Sequence, residues 1–329
     1  MHTDITPTTT VNINGKELLF FSGFSYLGLH AHPDFKEALK EGIDKYGTIF
    51  ISSRIANVKL TLFDELEHTL KNNQEAAVTF SSGYMAAQAA SQYAGNQGIL
   101  LYAPNAHPSL QQHFNIPNLP WQDWARRTIR TINNIHQKYV IVADSVNPLT
   151  STINDFSWLS QIHRDVLILI DDSHGIGITA LNYPQQPNLD YLITASLAKA
   201  YSTQGGVITG RSTHINEIKK QPIFTAATPM MPANAHAFLK SAHLHQTQKA
   251  LLQQNIAYLK SITDLHNPFS LPIFLLKDYL PDNEVIISSF GYPHPDSPLI
   301  NRIIVTAAHT TIQLDRLNEL LKNNPDQGR

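Results

Sequence analysis

Residues 166–176 read VLILIDDSHGI. Five apolar residues in a row run into two acids, a serine, a histidine and a glycine. A strand that is apolar on both faces is buried on both, the habit of parallel strands covered by crossover helices. Sheets of that kind bind ligands at the carboxyl ends of their strands, and Asp171, Asp172 and His174 stand at such an end. Taken alone they admit three readings. They could form a hydrogen-bonded turn, the simplest case; they could ligate a divalent metal; or one carboxylate, ionised in a dry site, could face a cationic ring nitrogen.

The same rhythm extends outward in both directions. AAVTF (76–80), GILLYA (98–103), KYVIVADS (138–145), DYLITA (190–195) and GVITG (206–210) are short apolar runs, most of them separated by polar or helical segments. Helices are expected over 33–45, with Pro33 suited to a first turn, over 60–72, and in MAAQAASQYA after Tyr84. Residues 11–30 read as a short strand and turn punctuated by Gly15 and Gly23. Beyond about residue 225 a strongly helical stretch gives way to LPIFLL, EVIISSF and RIIVTAA and a last helix, LDRLNELLKNN. The expected organisation is an N-terminal arm (1–30), a large domain with a mostly parallel sheet (31–225) and a smaller α+β domain (226–329).

Bulk properties narrow the function. Of 329 residues, 42% are hydrophobic and 15% charged, which predicts a substantial core and no extensive disorder. A formal net charge of −2 supplies no field for nucleic acid or anionic membrane. The lack of cysteine excludes disulfides, thiolate metal sites and a thiol nucleophile. The first residues, MHTDITPTTTVNIN, lack the basic start and apolar core of a signal peptide, and no apolar run reaches the ~20 residues of a membrane span. A soluble, cytoplasmic protein is expected.

Two other strand ends deserve the same scrutiny as IDDSHG. In TFSSGYMAA (79–87), small residues between strand and helix leave backbone N–H groups pointing outward, either as an ordinary N-cap or as an anion cup. In ITASLAKAYSTQGG (193–206), Lys199 lies between apolar neighbours. Exposed, it is a surface cation; enclosed, it loses basicity and suits a Schiff base. A phosphate cup, a strand-end carboxylate and a strand-end lysine together are what pyridoxal 5'-phosphate requires.

At this point the chain resembles the α-oxoamine synthases, a family of fold-type I pyridoxal-phosphate enzymes. SYLGL (25–29) is similar to N-Y-L-G-L; SSRIANVKLTLFDELE (52–67) keeps the S-R and L-E ends of its counterpart; EAAVTFSSGYMAA (75–87) is close to E-A-A-L-x-F-x-S-G-Y-x-A-N; LIDDSHGIGITA resembles V-D-D-A-H-G-x-G-x-x-G; and SLAKAYSTQGG resembles T-L-S-K-A-x-G-x-x-G-G.

The resemblance implies a role for each matching residue. Lys199 would condense with the cofactor aldehyde and later move the proton at the substrate α-carbon. Asp171 would pair with the pyridine nitrogen, His174 would reach the ring's phenolic oxygen, and His107 would stack on the ring. Ser82, Gly83, Tyr84 and Ser196 would hold the phosphate. Thr225 would reach the phosphate of a neighbouring subunit, which implies a homodimer with the site at the subunit interface. Arg302 would bind the amino-acid carboxylate, for which a guanidinium fork is well shaped.

Departures from the family pattern cluster on the acyl-donor side. TIFIS (48–52) replaces a glycine-rich segment, Phe63 replaces a histidine, Asp144 replaces a strand glutamate, and NPLT (147–150) replaces S-M-D-G. The leading expectation is therefore a pyridoxal-phosphate transferase that condenses a small amino acid with an acyl thioester. Its rivals are an aminotransferase or other fold-type I enzyme, a catalytically inactive binding protein, and a metallohydrolase built on Asp171, Asp172 and His174.

Overall fold

The computed structural model describes residues 1–111, 117–277, 280, 284–292 and 294–323. The chain opens with a hairpin, β1 (Thr10–Ile13) and β2 (Lys16–Phe21). Asn14 and Gly15 join the strands, both at positive φ (53° and 81°), as a two-residue turn that matches strand twist demands. Next come α1 (Pro33–Tyr46), with proline in its first turn, and α2 (Thr61–Leu70).

The central body follows. It is made of β3 (Ala76–Phe80), α3 (Gly83–Gly95), β4 (Ile99–Tyr102), α4 (Trp121–Asn134), β5 (Tyr139–Asp144), the short pair β6 (Val146–Asn147) and β7 (Thr152–Ile153), β8 (Val166–Asp171), β9 (Leu189–Ser196) and β10 (Gly206–Gly210). Six of these strands form one sheet in the order β3-β10-β9-β8-β5-β4. The contacts among β4, β5, β8 and β9 are parallel, and β10 runs antiparallel to both its neighbours. The mostly parallel sheet expected from the apolar runs is thus present, with GVITG as its reversed strand.

Why VLILI has no polar face is visible in the packing. Leu167 and Leu169 join one apolar cluster, with Val140, Val142 and the alanines of α3. Ile168 and Ile170 join another on the opposite face, with Ile141, Trp124 and Ile132. Each such fully buried side chain contributes roughly 1.5–3 kcal/mol. Helix α4 is an element that no sequence expectation covered. Its Trp124, Ala125, Thr128 and Ile132 are buried, while Arg126, Arg127 and Arg130 make the segment look like a polar loop.

After β10 come α5 (Ser212–Ile218), α6 (Pro222–Thr225), α7 (Pro232–Lys240), α8 (Ala242–Ile262), β11 (Ile273–Leu276), β12 (Val285–Gly291), β13 (Leu299–Ile304) and α9 (Thr311–Lys322). A second, five-stranded sheet has the order β1-β2-β12-β13-β11. Residues 10–21, expected in an arm, instead complete the C-terminal sheet, because β2 pairs in parallel with β12 through Leu19, Phe20 and Phe21. The pairing buries Phe21 in one cluster with Phe274, Ile303 and Leu317. The last helix starts with a reciprocal cap between Thr310 and Gln313. Among the described residues no helix is long and apolar enough to cross a membrane.

Candidate active site

The carboxyl ends of β5, β8 and β9 open into a cavity of about 230 Å³. Its polar wall is made by His107, Asp144, His174, Lys199 and Arg302, and Phe24, Pro148, Leu149 and Phe290 form an apolar rim that limits water. Four of the expected site residues therefore meet in one place, although up to 195 positions of sequence separate them.

Lys199 follows the end of β9 and, among the described residues, donates no hydrogen bond. Burial lowers its pKa, against the opposing pull of the Asp171 and Asp144 carboxylates. A lysine held this way is more easily neutral than one in water, and a neutral amine is both nucleophile and base.

Asp171 ends β8 and is buried, 5% exposed. Its Oδ1 accepts from the Ser173 N–H at 2.9 Å, and the Ser173 hydroxyl in turn accepts from the Ser196 N–H at 2.8 Å. Asp172 points elsewhere and accepts from Ser145 Oγ at 2.5 Å, with burial raising its carboxyl to about 7. Gly175 is required beside it, since a Cβ there would lie 2.1 Å from Asp172 Oδ1. His174 is bonded through Nδ1 to Tyr26 Oη at 2.7 Å. Burial, aided by Lys199, Arg302 and His107, holds its pKa well below the usual imidazole value. The two acids and the histidine thus diverge to three different partners and do not converge as a ligand set. Among the described residues no group of three or more His, Asp and Glu is placed to hold a metal.

His107 precedes a short turn in which its Nδ1 accepts from the Ser109 N–H at 3.2 Å, while its own N–H donates to Asp144 Oδ2 at 2.9 Å. Burial lowers its pKa too, with Lys199 adding to the effect and Asp171 opposing it. Asp144 is pushed well up by burial and by the nearby Asp171 charge. In the sequence Asp144 stands out only as a departure from the family pattern; its place at the end of β5 is the signal that it belongs to the site.

Arg302, in β13, enters from the five-stranded sheet. Its Nη1 donates to the Pro148 carbonyl at 3.1 Å and its guanidinium lies 4.7 Å from the centre of the Phe290 ring. Its Nε is buried without a partner among the described residues. A half-buried guanidinium with no carboxylate paired to it among the described residues is suited to an incoming anion.

Ser82, Gly83, Tyr84 and Ser196 gather at a second point, the start of α3. Ser82 caps the helix by accepting from the Met85 N–H at 3.2 Å. The N–H groups of Gly83 and Tyr84 are bonded to nothing among the described residues, as the first turn of a helix requires of an anion site. A Cβ on Gly83 would meet Ser196 Cβ at 2.4 Å, so glycine is what brings the Ser196 hydroxyl against the helix end. The Tyr84 side chain is exposed. Thr225 does not join either group. It is half-buried at the end of α6, beside a groove that Ile49, Phe50 and Ile51 share with Ala226–Thr228.

Comparison with known proteins places this arrangement. The family model described as aminotransferase class I and II matches residues 22–319. The chain belongs to that family. Among its curated relatives is the serine palmitoyltransferase of Bacteriovorax stolpii, 25% identical over 68% of this chain and 58% of that protein's length. Another is the 8-amino-7-oxononanoate synthase of Thioalkalivibrio sulfidiphilus, 23% identical over 94% of this chain and 88% of the relative. The Sphingomonas wittichii serine palmitoyltransferase structure superposes with a TM-score of 0.78 at 16% identity, covering 97% of this chain and 90% of that one. Both named relatives are α-oxoamine synthases, the group whose motifs the sequence resembles, and the α/β architecture expected from those motifs is the one found. This member of the aminotransferase class I and II family has its strand-end Asp144, its lysine and its arginine at one cavity.

Proposed function

We propose that this protein is a pyridoxal-phosphate-dependent acyltransferase that condenses a small amino acid with an acyl thioester. The observation that carries the reading is Lys199, enclosed, without a hydrogen bond among the described residues and facing the Asp171 charge at the mouth of the parallel sheet. When bound, the cofactor supplies an aldehyde for an amine and a pyridine ring that accepts electrons from a substrate carbanion. The residues present fit it. The free N–H groups at Gly83 and Tyr84, with Ser82 and Ser196, would hold the phosphate; Asp171 would keep the ring nitrogen protonated; His107 and His174 would contact the ring and its oxygen.

The chain's own groups have definite tasks. Arg302 presents an unpaired Nε that orients the amino-acid carboxylate. Lys199, in its neutral form, takes and returns the proton at the substrate α-carbon. The apolar rim of Phe24, Leu149 and Phe290 excludes water while that proton is in transit. Thr225 acts toward a second copy of the chain, so a homodimer is part of the proposal. The exposed Ile49 and Ile51, 55% and 93% accessible and flanking the groove next to Thr225, support a covered face there.

A second reading, amino transfer to a keto acid, is favoured by that same bulky segment, which stands where the resemblance expects glycines near the thioester. One experiment separates the readings. Protein purified with added pyridoxal phosphate should show the absorbance of a lysine-bound cofactor, which Lys199→Ala removes. Glycine, alanine or serine with acyl-CoA should then release free CoA. No cofactor absorbance sinks the whole reading; keto-acid-dependent amino transfer without CoA release selects the second.

A further inference from the structure

We infer that Tyr26 is a positioning residue that sets the tautomer of His174, leaving the imidazole proton on Nε2 as a hydrogen-bond donor to the cavity beside Lys199. Nothing in the motif SYLGL assigns that task to its tyrosine.

The argument begins with the 2.7 Å contact between Tyr26 Oη and His174 Nδ1. Tyr26 is 1% exposed, and among the described residues its hydroxyl has this single partner. A phenol has one proton to donate, and a neutral imidazole has one nitrogen that donates and one that accepts. If Nδ1 carried the proton, the tyrosine oxygen would accept it and its own O–H would be buried with nowhere to go. If Tyr26 donates, both groups at the contact are satisfied, and the histidine proton must sit on Nε2. Burial favours the same assignment, since it keeps the phenol protonated and the imidazole neutral. The charged groups facing His174, namely Lys199, Arg302 and His107, all act against a second proton on its ring.

Tyr26 can impose this direction because its own position is held from two sides. Its carbonyl accepts from the Ala307 N–H at 2.9 Å and its N–H donates to the Phe24 carbonyl at 2.8 Å. Two residues on, Gly28 takes a left-handed φ of 65° and packs so closely on Ala308 that a Cβ would lie 3.0 Å from the alanine methyl. The tyrosine therefore belongs to a rigid bend seated on the loop after β13, and it reaches across to the loop after β8. An Nε2–H donor on His174 suits an anionic oxygen, and with the cofactor reading above, on which this last step rests, that acceptor is the phenolic oxygen of pyridoxal.

The test uses the full-length, cofactor-free chain labelled with ¹⁵N-histidine, with His174 assigned by comparison with His174→Gln. Two-bond ¹H–¹⁵N correlations distinguish the tautomers. The expected wild-type pattern is a single Nε2–H tautomer, converted to a mixture of both in Tyr26→Phe. A proton on Nδ1 in the wild type overturns the inference, and so does an unchanged single tautomer in Tyr26→Phe. If Tyr26→Phe fails to fold, the wild-type pattern alone decides. Adding pyridoxal phosphate and following its absorbance tests the cofactor reading separately. Failure there with an Nε2–H tautomer in place removes the proposed acceptor and leaves the role of Tyr26 standing.

Discussion

Two arginines, Arg54 and Arg302, are largely removed from water and covered by aromatic rings, yet their surroundings are opposite in kind. Arg54 Nη1 lies 3.0 Å from Glu67 Oε1 and donates to Thr79 Oγ1 at 3.2 Å. Glu67 is itself saturated, accepting from the Thr79 N–H at 2.9 Å and from Lys219 Nζ at 3.3 Å. The guanidinium of Arg54 packs on Phe63 at 4.5 Å. Around Arg302 the ring is Phe290, the acceptor is one carbonyl, and no carboxylate is paired with it among the described residues. The first network is closed, with Glu67 paired to both Arg54 and Lys219 within the chain. The second is open, with Arg302 unpaired by any carboxylate among the described residues and Lys199 held by burial toward its neutral form. A closed network serves the fold; an open one has free energy in reserve for a ligand.

The sharpest way to break this contrast is Lys199→Ala. It should abolish the cofactor absorbance and reduce turnover by roughly 10³-fold or more, while urea unfolding shows stability unchanged or raised, because a buried amine without a hydrogen-bond partner among the described residues is lost. A drop in stability would place Lys199 in the closed class. Glu67→Ala is the converse. It leaves Arg54 buried and unpaired and should cost about 3–5 kcal/mol in a denaturant titration; a cost near zero would erase the distinction between the two networks.

Arg302→Met should raise the KM for the amino acid by roughly 10- to 100-fold, the equivalent of about 1.5–3 kcal/mol for a charge-assisted contact, with little change in stability. Equal binding by the variant would show that the open guanidinium serves no ligand. At Asp172, whose carboxyl stays closed against Ser145, the expected effect is one of pH dependence. Its pKa is raised from 3.8 to about 7 in the folded chain. Between those values the folded state holds the proton more tightly than the unfolded state, so stability falls as pH rises through that window. Asp172→Asn should flatten that part of the pH–stability curve, and an unchanged slope would count against the assignment.

Much of the scaffold is legible in the sequence. The strands at 76–80 and 206–210 start and end where their apolar runs do, because a sheet buried on both faces admits few polar residues, here one threonine in each strand. The strand-end chemistry was legible too, since charged residues closing an apolar run are conspicuous. Less visible was α4, whose three arginines mask a buried stripe that only the neighbouring strands make sense of. The place of β1 and β2 in the C-terminal sheet was not readable either, for nothing in KELLFF names VIISSFG as its partner.

By itself the sequence determined the periodic elements, the caps and turns, and the inventory of acids, histidines and lysine at the strand ends. These depend on neighbours a few residues apart, and their physics is local. Tertiary structure alone decided which partner each group meets: Arg54 with Glu67, Tyr26 with His174 across 148 positions, and Arg302 with no carboxylate among the described residues. Pairing and burial depend on how sheets and loops assemble in three dimensions, and burial in turn decides whether a charge is satisfied or left for a ligand.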